Sequence, residues 1–210
     1  MKFLIIQENG RNEKNRSFRE CFSIKRALLM ENHECDIWGL GQENYDQKQD
    51  LNAYDVILNL ENYDQTNWLP DLSKVSAFKI LSVIDAHVRG MEPYRKIFNK
   101  GKYDLSLHAT RDFLEKNRFG FRSDYFKDGI IRRGIWFPNW FDPDLIGPRE
   151  VPLRAEVGFC GNIISRKSYL ELLKQNFNFL ADVKVFGEDM VKAINSYKVH
   201  FNKNILANSE

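Results

Sequence analysis

The sequence predicts an α/β protein built on a doubly wound parallel sheet, followed by an incomplete second unit of the same kind. Three observations carry that prediction. Short apolar runs alternate with amphipathic stretches over the first 150 residues, the pattern of strands joined by helical crossovers. The run DVILNLE (Asp55 to Glu61) is almost wholly apolar, as a strand covered on both faces should be. A stretch rich in proline, DPDLIGPREVPLR (Asp142 to Arg154), breaks the alternation, which then restarts.

The elements follow in order. KFLIIQE is the first strand and NGRNEKNR a polar loop. From Ser17 onward, Phe18, Cys21, Phe22, Leu28 and Leu29 recur at helical spacing, and Ser17 with Glu20 forms a capping-box signature. HECDIWGLG reads as a strand ending in glycines, DVILNLE as the third, FKILSVIDAH as the fourth and YDLSLHAT as the fifth. Helices are expected over Pro93 to Asn99 and Arg111 to Asn117, and IIRRGIWFPNWFDP as a last strand leading into the proline-rich crossing. This places a first domain at 1–141, a linker at 142–154 and a partial second domain at 155–210. The second contains strand EVGFCGN, helix SRKSYLELLKQNF, strand ADVKVFGE, helix DMVKAINSY and strand KVHFNKN.

Composition narrows the class. Hydrophobic residues make up 43% of the chain, enough for a packed core. Lys and Arg total 31 against 29 for Asp and Glu, so the chain lacks the basic excess of a nucleic-acid binder. Arg132 and Arg133 read as a local surface patch. Cys21, Cys35 and Cys160 are widely spaced and read as reduced core residues, and the four histidines have no ligand spacing for a metal. The apolar run of MKFLIIQENG is too short for a signal peptide, and no stretch approaches a membrane span, so a cytoplasmic protein is expected.

Ligands of open parallel sheets bind at the carboxyl ends of the strands. Those ends are rich in functional groups: Gln7, Glu8 and Asn9 after the first strand, Glu61 and Asn62 after the third, Asp85, His87 and Arg89 after the fourth. His108, Thr110 and Arg111 follow the fifth. Asn62 and Thr110 read equally as helix caps, and His108 as a satisfied structural histidine. DAHVRG is the stronger group, because a carboxylate or imidazole can take a proton from a hydroxyl while Arg89 holds an anion. No nucleophile elbow, phosphate loop of the GxxxxGK[ST] kind or GxGxxG occurs, and GLGQEN lacks the third glycine.

GFCGNIISRK carries the parts of an anion site. Gly161 permits close backbone approach, a helix start supplies free N–H groups, and Arg166 and Lys167 add charge. An ordinary turn with a solvated basic edge is the plainer alternative. Glu188, at the end of VFGE, and Lys203, after the last strand, are expected at the same edge.

The runs KILSVIDAHVRG, WFPNWFDPDLI, EVGFCGNIISRKSYLELL and VFGEDMVKAINSYKVHFNKNI together resemble glycosyltransferases of the GT-B class, in particular the CgeB-like group of spore-maturation type. The resemblance covers nearly the whole chain. It implies two facing Rossmann-like domains, the first taking a hydroxyl acceptor and the second a nucleotide-diphosphate sugar, with no obligatory metal. By position, Asp85 and His87 match the acceptor-side strand end, and Gly161, Asn162 and Arg166 the diphosphate-side loop. The expected function is transfer of a sugar from the nucleotide-diphosphate sugar to that acceptor. Glu8, Asn9, Glu61, Asn62 and Arg89 are expected on the acceptor side, and Lys167, Glu188 and Lys203 on the donor side. The family continues past the FNKN strand into an acidic helix. The second domain is therefore expected to be incomplete, with little or no turnover by this chain, and to pair with another copy as a homodimer through that part or else to fold back on the first domain. The alternative is a non-catalytic nucleotide- or partner-binding module of the same fold. A dehydrogenase is disfavoured by the missing glycine fingerprint.

Overall fold

The structure is a computed structural model that describes residues 1–9, 13–60, 68–84, 86, 90–109 and 134–202. The chain divides into two compact units, one of Met1–Arg11 with Arg19–Trp140, the other of Asn12–Phe18 with Phe141–Glu210.

The first unit is a six-stranded parallel sheet in the order β2-β1-β3-β4-β5-β6. Its strands are β1 (Lys2–Ile6), β2 (Glu34–Trp38), β3 (Val56–Asn59), β4 (Phe78–Val83), β5 (Leu105–His108) and β6 (Gly134–Trp136). Both faces are covered. Leu4, Ile6, Ile57, Leu81 and Val83 pack with Tyr94 and Phe98 of helix α2 (Glu92–Gly101). Ile5, Leu58 and Leu107 pack on the opposite side with Cys21 of helix α1 (Glu20–Met30). Leu4, Ile5, Ile6, Ile57 and Leu81 are fully buried, and each such side chain contributes about 2 kcal/mol relative to exposure. That double burial is why these runs show no alternation of polar and apolar residues.

The capping box expected at Ser17 and Glu20 does not form. Ser17 lies inside a 3-10 helix, Glu13–Phe18, and α1 begins at Glu20 with Arg19 at its N-cap and no side-chain cap there. Gln7 replaces it from a distance. Its Oε1 accepts from the Cys21 N–H at 2.9 Å, and its Nε2 donates to the Glu20 carboxylate at 2.8 Å. An amide that both accepts and donates satisfies the helix start and an acidic first-turn residue together.

The second unit holds a three-stranded parallel sheet, order β8-β7-β9. Its strands are β7 (Ala155–Cys160), β8 (Phe179–Asp182) and β9 (Tyr197–His200), with helices α3 (Lys167–Asn176) and α4 (Gly187–Asn195). The strand expected over ADVKVFGE is displaced. β8 starts at Phe179, and its pairing with β7 runs from Val157↔Phe179 to Cys160↔Asp182. Beyond it Lys184 is left-handed at φ 58°, Val183 is exposed and Val185 joins the unit's core. The alternation of Val183 and Val185 mimics a strand in the sequence, but β7 offers no further ladder partner there.

Residues 142–154 form neither helix nor strand, yet they lie against α4. The Arg149 N–H donates to Asn195 Oδ1 at 3.0 Å, and Asn195 Nδ2 donates to the Gly147 carbonyl at 3.2 Å. The 3-10 segment Glu13–Phe18 belongs to this unit as well. Asn15 Oδ1 accepts from the Gly187 N–H at 2.8 Å, and Lys14 pairs with Asp189 at 2.8 Å. Among the described residues, no helix is long and apolar enough to cross a membrane.

Candidate functional site

A parallel sheet offers a ligand crevice where successive crossovers leave in opposite directions. Each unit has one. In the first, the chain passes from β1 outward to β2 and returns to β3 on the other side of β1, so the crevice lies at the carboxyl ends of β1 and β3. Gln7, Glu8 and Asn9 stand there, all buried. The Asn9 N–H donates to the Leu40 carbonyl at 2.7 Å, and its Nδ2 to Gln42 Oε1 at 3.4 Å. Gln42 Nε2 in turn donates to the Gln7 carbonyl at 3.2 Å, which fixes the Gln42 amide and leaves Asn9 Oδ1 as a buried acceptor without a partner. GLGQEN is thus the wall of this crevice, a use the absence of a dinucleotide fingerprint did not reveal.

At β3 and, two strands further along, at β5, polar side chains continue the row. Asn59 Nδ2 donates to the Tyr103 hydroxyl at 2.6 Å, and Ser106 Oγ contacts His108 Nε2 at 2.8 Å. Burial pushes the Tyr103 phenol up to about 12 and holds the His108 imidazole down at about 4, so the ring is neutral at neutral pH. The other ring nitrogen of His108, Nδ1, has no hydrogen-bond partner. Glu61, Asn62, Asp85, His87, Arg89, Thr110 and Arg111 lie outside the described residues, as do Arg132, Arg133, Lys203 and the helix expected over 111–117.

In the second unit the chain leaves β7 for β8 on one side and returns to β9 on the other, so the crevice lies beside Gly161. Gly161 has φ 147°, a conformation that favours glycine; a Cβ there would meet the Phe159 ring at 3.3 Å. Backbone conformation, more than close approach, is therefore what the glycine supplies. Asn162 Oδ1 accepts from the Ile164 N–H at 2.9 Å and shapes the turn into the 3-10 helix Ile164–Arg166. Arg166 Nη1 donates to the Asn162 carbonyl at 3.0 Å, and its guanidinium lies 5.6 Å over the Phe159 ring. Lys167 opens α3 and is exposed. Gly161, Asn162, Arg166 and Lys167 thus share one turn. Glu188 does not follow a strand: it sits in the first turn of α4, paired with Arg149 at 3.0 Å.

Gly158 serves another purpose. A Cβ on it would lie 2.1 Å from the Tyr197 ring, so the glycine clears a path for that ring across β7. The Tyr197 hydroxyl reaches Asp182, the last residue of β8. Arg154 grips the same carboxylate with both terminal nitrogens, at 2.9 and 3.2 Å, the fork geometry of a bidentate pair. Sequence reading missed this triad, because its members are 28 and 15 positions from Asp182 and only the sheet order joins them.

Among the described residues, no group of histidine, cysteine, aspartate and glutamate is placed to hold a metal ion. No protein-family model matches the chain, and no curated protein matches it.

Proposed function

We propose that the protein is a glycosyltransferase of the GT-B class, of the CgeB-like group, moving a sugar from a nucleotide-diphosphate sugar to a hydroxyl acceptor. The observation that carries this reading is the turn after β7. It stands at the reversal point of a parallel sheet and brings Gly161, Asn162, Arg166 and Lys167 together ahead of a helix start. A diphosphate there meets two cations and the N-terminal end of α3, which stabilise the charge that develops as the sugar leaves. In the crevice after β1, the buried Asn9 Oδ1 is an acceptor suited to a sugar hydroxyl. Asp85 or His87 takes the proton of the attacking hydroxyl; where His87 is the base, His87→Ala in a complete parent enzyme should lower turnover roughly 100-fold or more.

A thermal-shift panel of nucleotide-diphosphate sugars tests the reading. One or a few donors should raise the melting temperature selectively, and Arg166→Ala with Lys167→Ala should abolish the rise. A panel without any selective shift would end it. One observation favours a non-catalytic binding module instead: Arg166 and Glu188 are already engaged by Asn162, Phe159 and Arg149. A donor that shifts the melting temperature without being hydrolysed or transferred would decide for the module.

A further inference from the structure

We infer that a second site of the second unit, a groove of about 430 Å³ between residues 151–154 and α4, binds the vicinal hydroxyls of a neutral sugar ring. It involves none of the residues of the Gly161 turn, and nothing in the transferase reading requires it.

The floor is the Arg154–Asp182 pair. Arg154 uses one N–H of each terminal nitrogen on Asp182, so its remaining N–H groups stand beside a carboxylate that still has lone-pair capacity. A donor and an acceptor side by side suit two neighbouring hydroxyls, each of which can give and take a hydrogen bond. Tyr197 and Arg154 hold the carboxylate from two directions, so no ordering of the floor is needed on binding. The walls carry apolar surface from Val151, Pro152, Val185 and Ala193. Those apolar side chains match the C–H face of a sugar, and the volume lies within the range of small-molecule sites.

Charge argues for a neutral ligand. The lining carries two acids and two bases, Asp182 and Asp189 against Arg154 and Lys192. Asp189 is further held by Lys14 at 2.8 Å. An anion gains nothing from so mixed a lining, whereas the Gly161 turn is where cations gather. The diol has two chemical sources, the ribose of a nucleoside and a pyranose of a glycan.

Saturation-transfer NMR on the full chain separates them, with uridine, methyl glucoside and 2′,3′-dideoxyuridine as probes. Uridine or the glucoside should bind, whichever is the source, and dideoxyuridine at least about tenfold more weakly than uridine if ribose is the source. Pro152→Trp, at an exposed position, should fill the groove and weaken binding at least about tenfold. Arg154→Met should do the same with the far-ultraviolet circular dichroism unchanged. The inference is overturned if neither sugar binds, if dideoxyuridine matches uridine while the glucoside does not bind, or if both variants bind like the parent. Uridine monophosphate binding about tenfold more tightly than uridine, with the gain removed in Pro152→Trp, would overturn the neutral-ligand assignment. Loss of the donor-induced thermal shift in Arg166→Ala alone bears only on the transferase reading.

Discussion

His108 is a base buried inside the first sheet. Its ring is 1% exposed, and burial lowers its pKa from 6.5 to about 4. The unfolded chain therefore binds more protons than the folded one between those values, so stability is complete above about pH 6.5 and falls as the pH drops toward 4. The loss across that window is about 3 kcal/mol. His108→Gln, which keeps a hydrogen-bonding partner for Ser106 without titrating, should flatten the dependence of urea-denaturation midpoints on pH over that range. A parent protein equally stable at pH 4.5 and 7 would contradict this account. Gly187 makes a second residue-scale case. It is left-handed at φ 60°, and a Cβ would lie 2.1 Å from the Lys14 carbonyl oxygen. Gly187→Ala should cost about 2 kcal/mol or more, read by chemical denaturation, since both the backbone and the docked segment oppose it.

At the scale of elements, the starts of α1 and α4 are held by residues outside the helix. Gln7 belongs to the exit from β1, yet it caps α1 and receives none of the credit in a local reading. Gln7→Ala should remove both hydrogen bonds inside a buried site, at a cost of about 2 kcal/mol. Hydrogen exchange at the Cys21 amide should accelerate more than at the middle of α1. Equal acceleration throughout the helix would show that the cap is not the site of the effect. The second unit repeats the arrangement, with Asn15 accepting from the first N–H of α4. Asn15→Ala should raise exchange at the start of α4 by about tenfold, a loss of about 1.4 kcal/mol.

Across the whole molecule, two parallel sheets of Rossmann-like kind each reverse their winding once, and each reversal is lined by polar residues. Much of this was legible in the sequence. All six strands of the first sheet fall within the runs expected of them; the signal is clearest for β1 and β3, where Leu4, Ile5, Ile6, Val56, Ile57 and Leu58 are apolar and buried in succession, and it is local. Among the described residues, Gln7, Glu8, Asn9 and His108 at the strand ends were legible for the same reason: once strands are placed, their carboxyl ends follow. Gly161, Asn162, Arg166 and Lys167 were found together because they are neighbours in the chain.

What the sequence by itself determined was therefore the alternation of elements, the lack of helix or strand over 142–154 and the polar residues that follow β1, each set by residues adjacent along the chain. Only the tertiary structure decided the rest. It moved β8 to Phe179–Asp182, because the ladder with β7 sets a strand's length and Val183 and Val185 have no partner to extend it. It replaced the cap at Ser17 by Gln7, gave Gly158 to the Tyr197 ring and brought Arg154 onto Asp182. It also assigned Glu13–Phe18 to the second unit, though those residues lie between two elements of the first. Each of these joins groups distant in the chain, and hydrogen bonds and steric clearance act on distance in space, to which sequence spacing is blind.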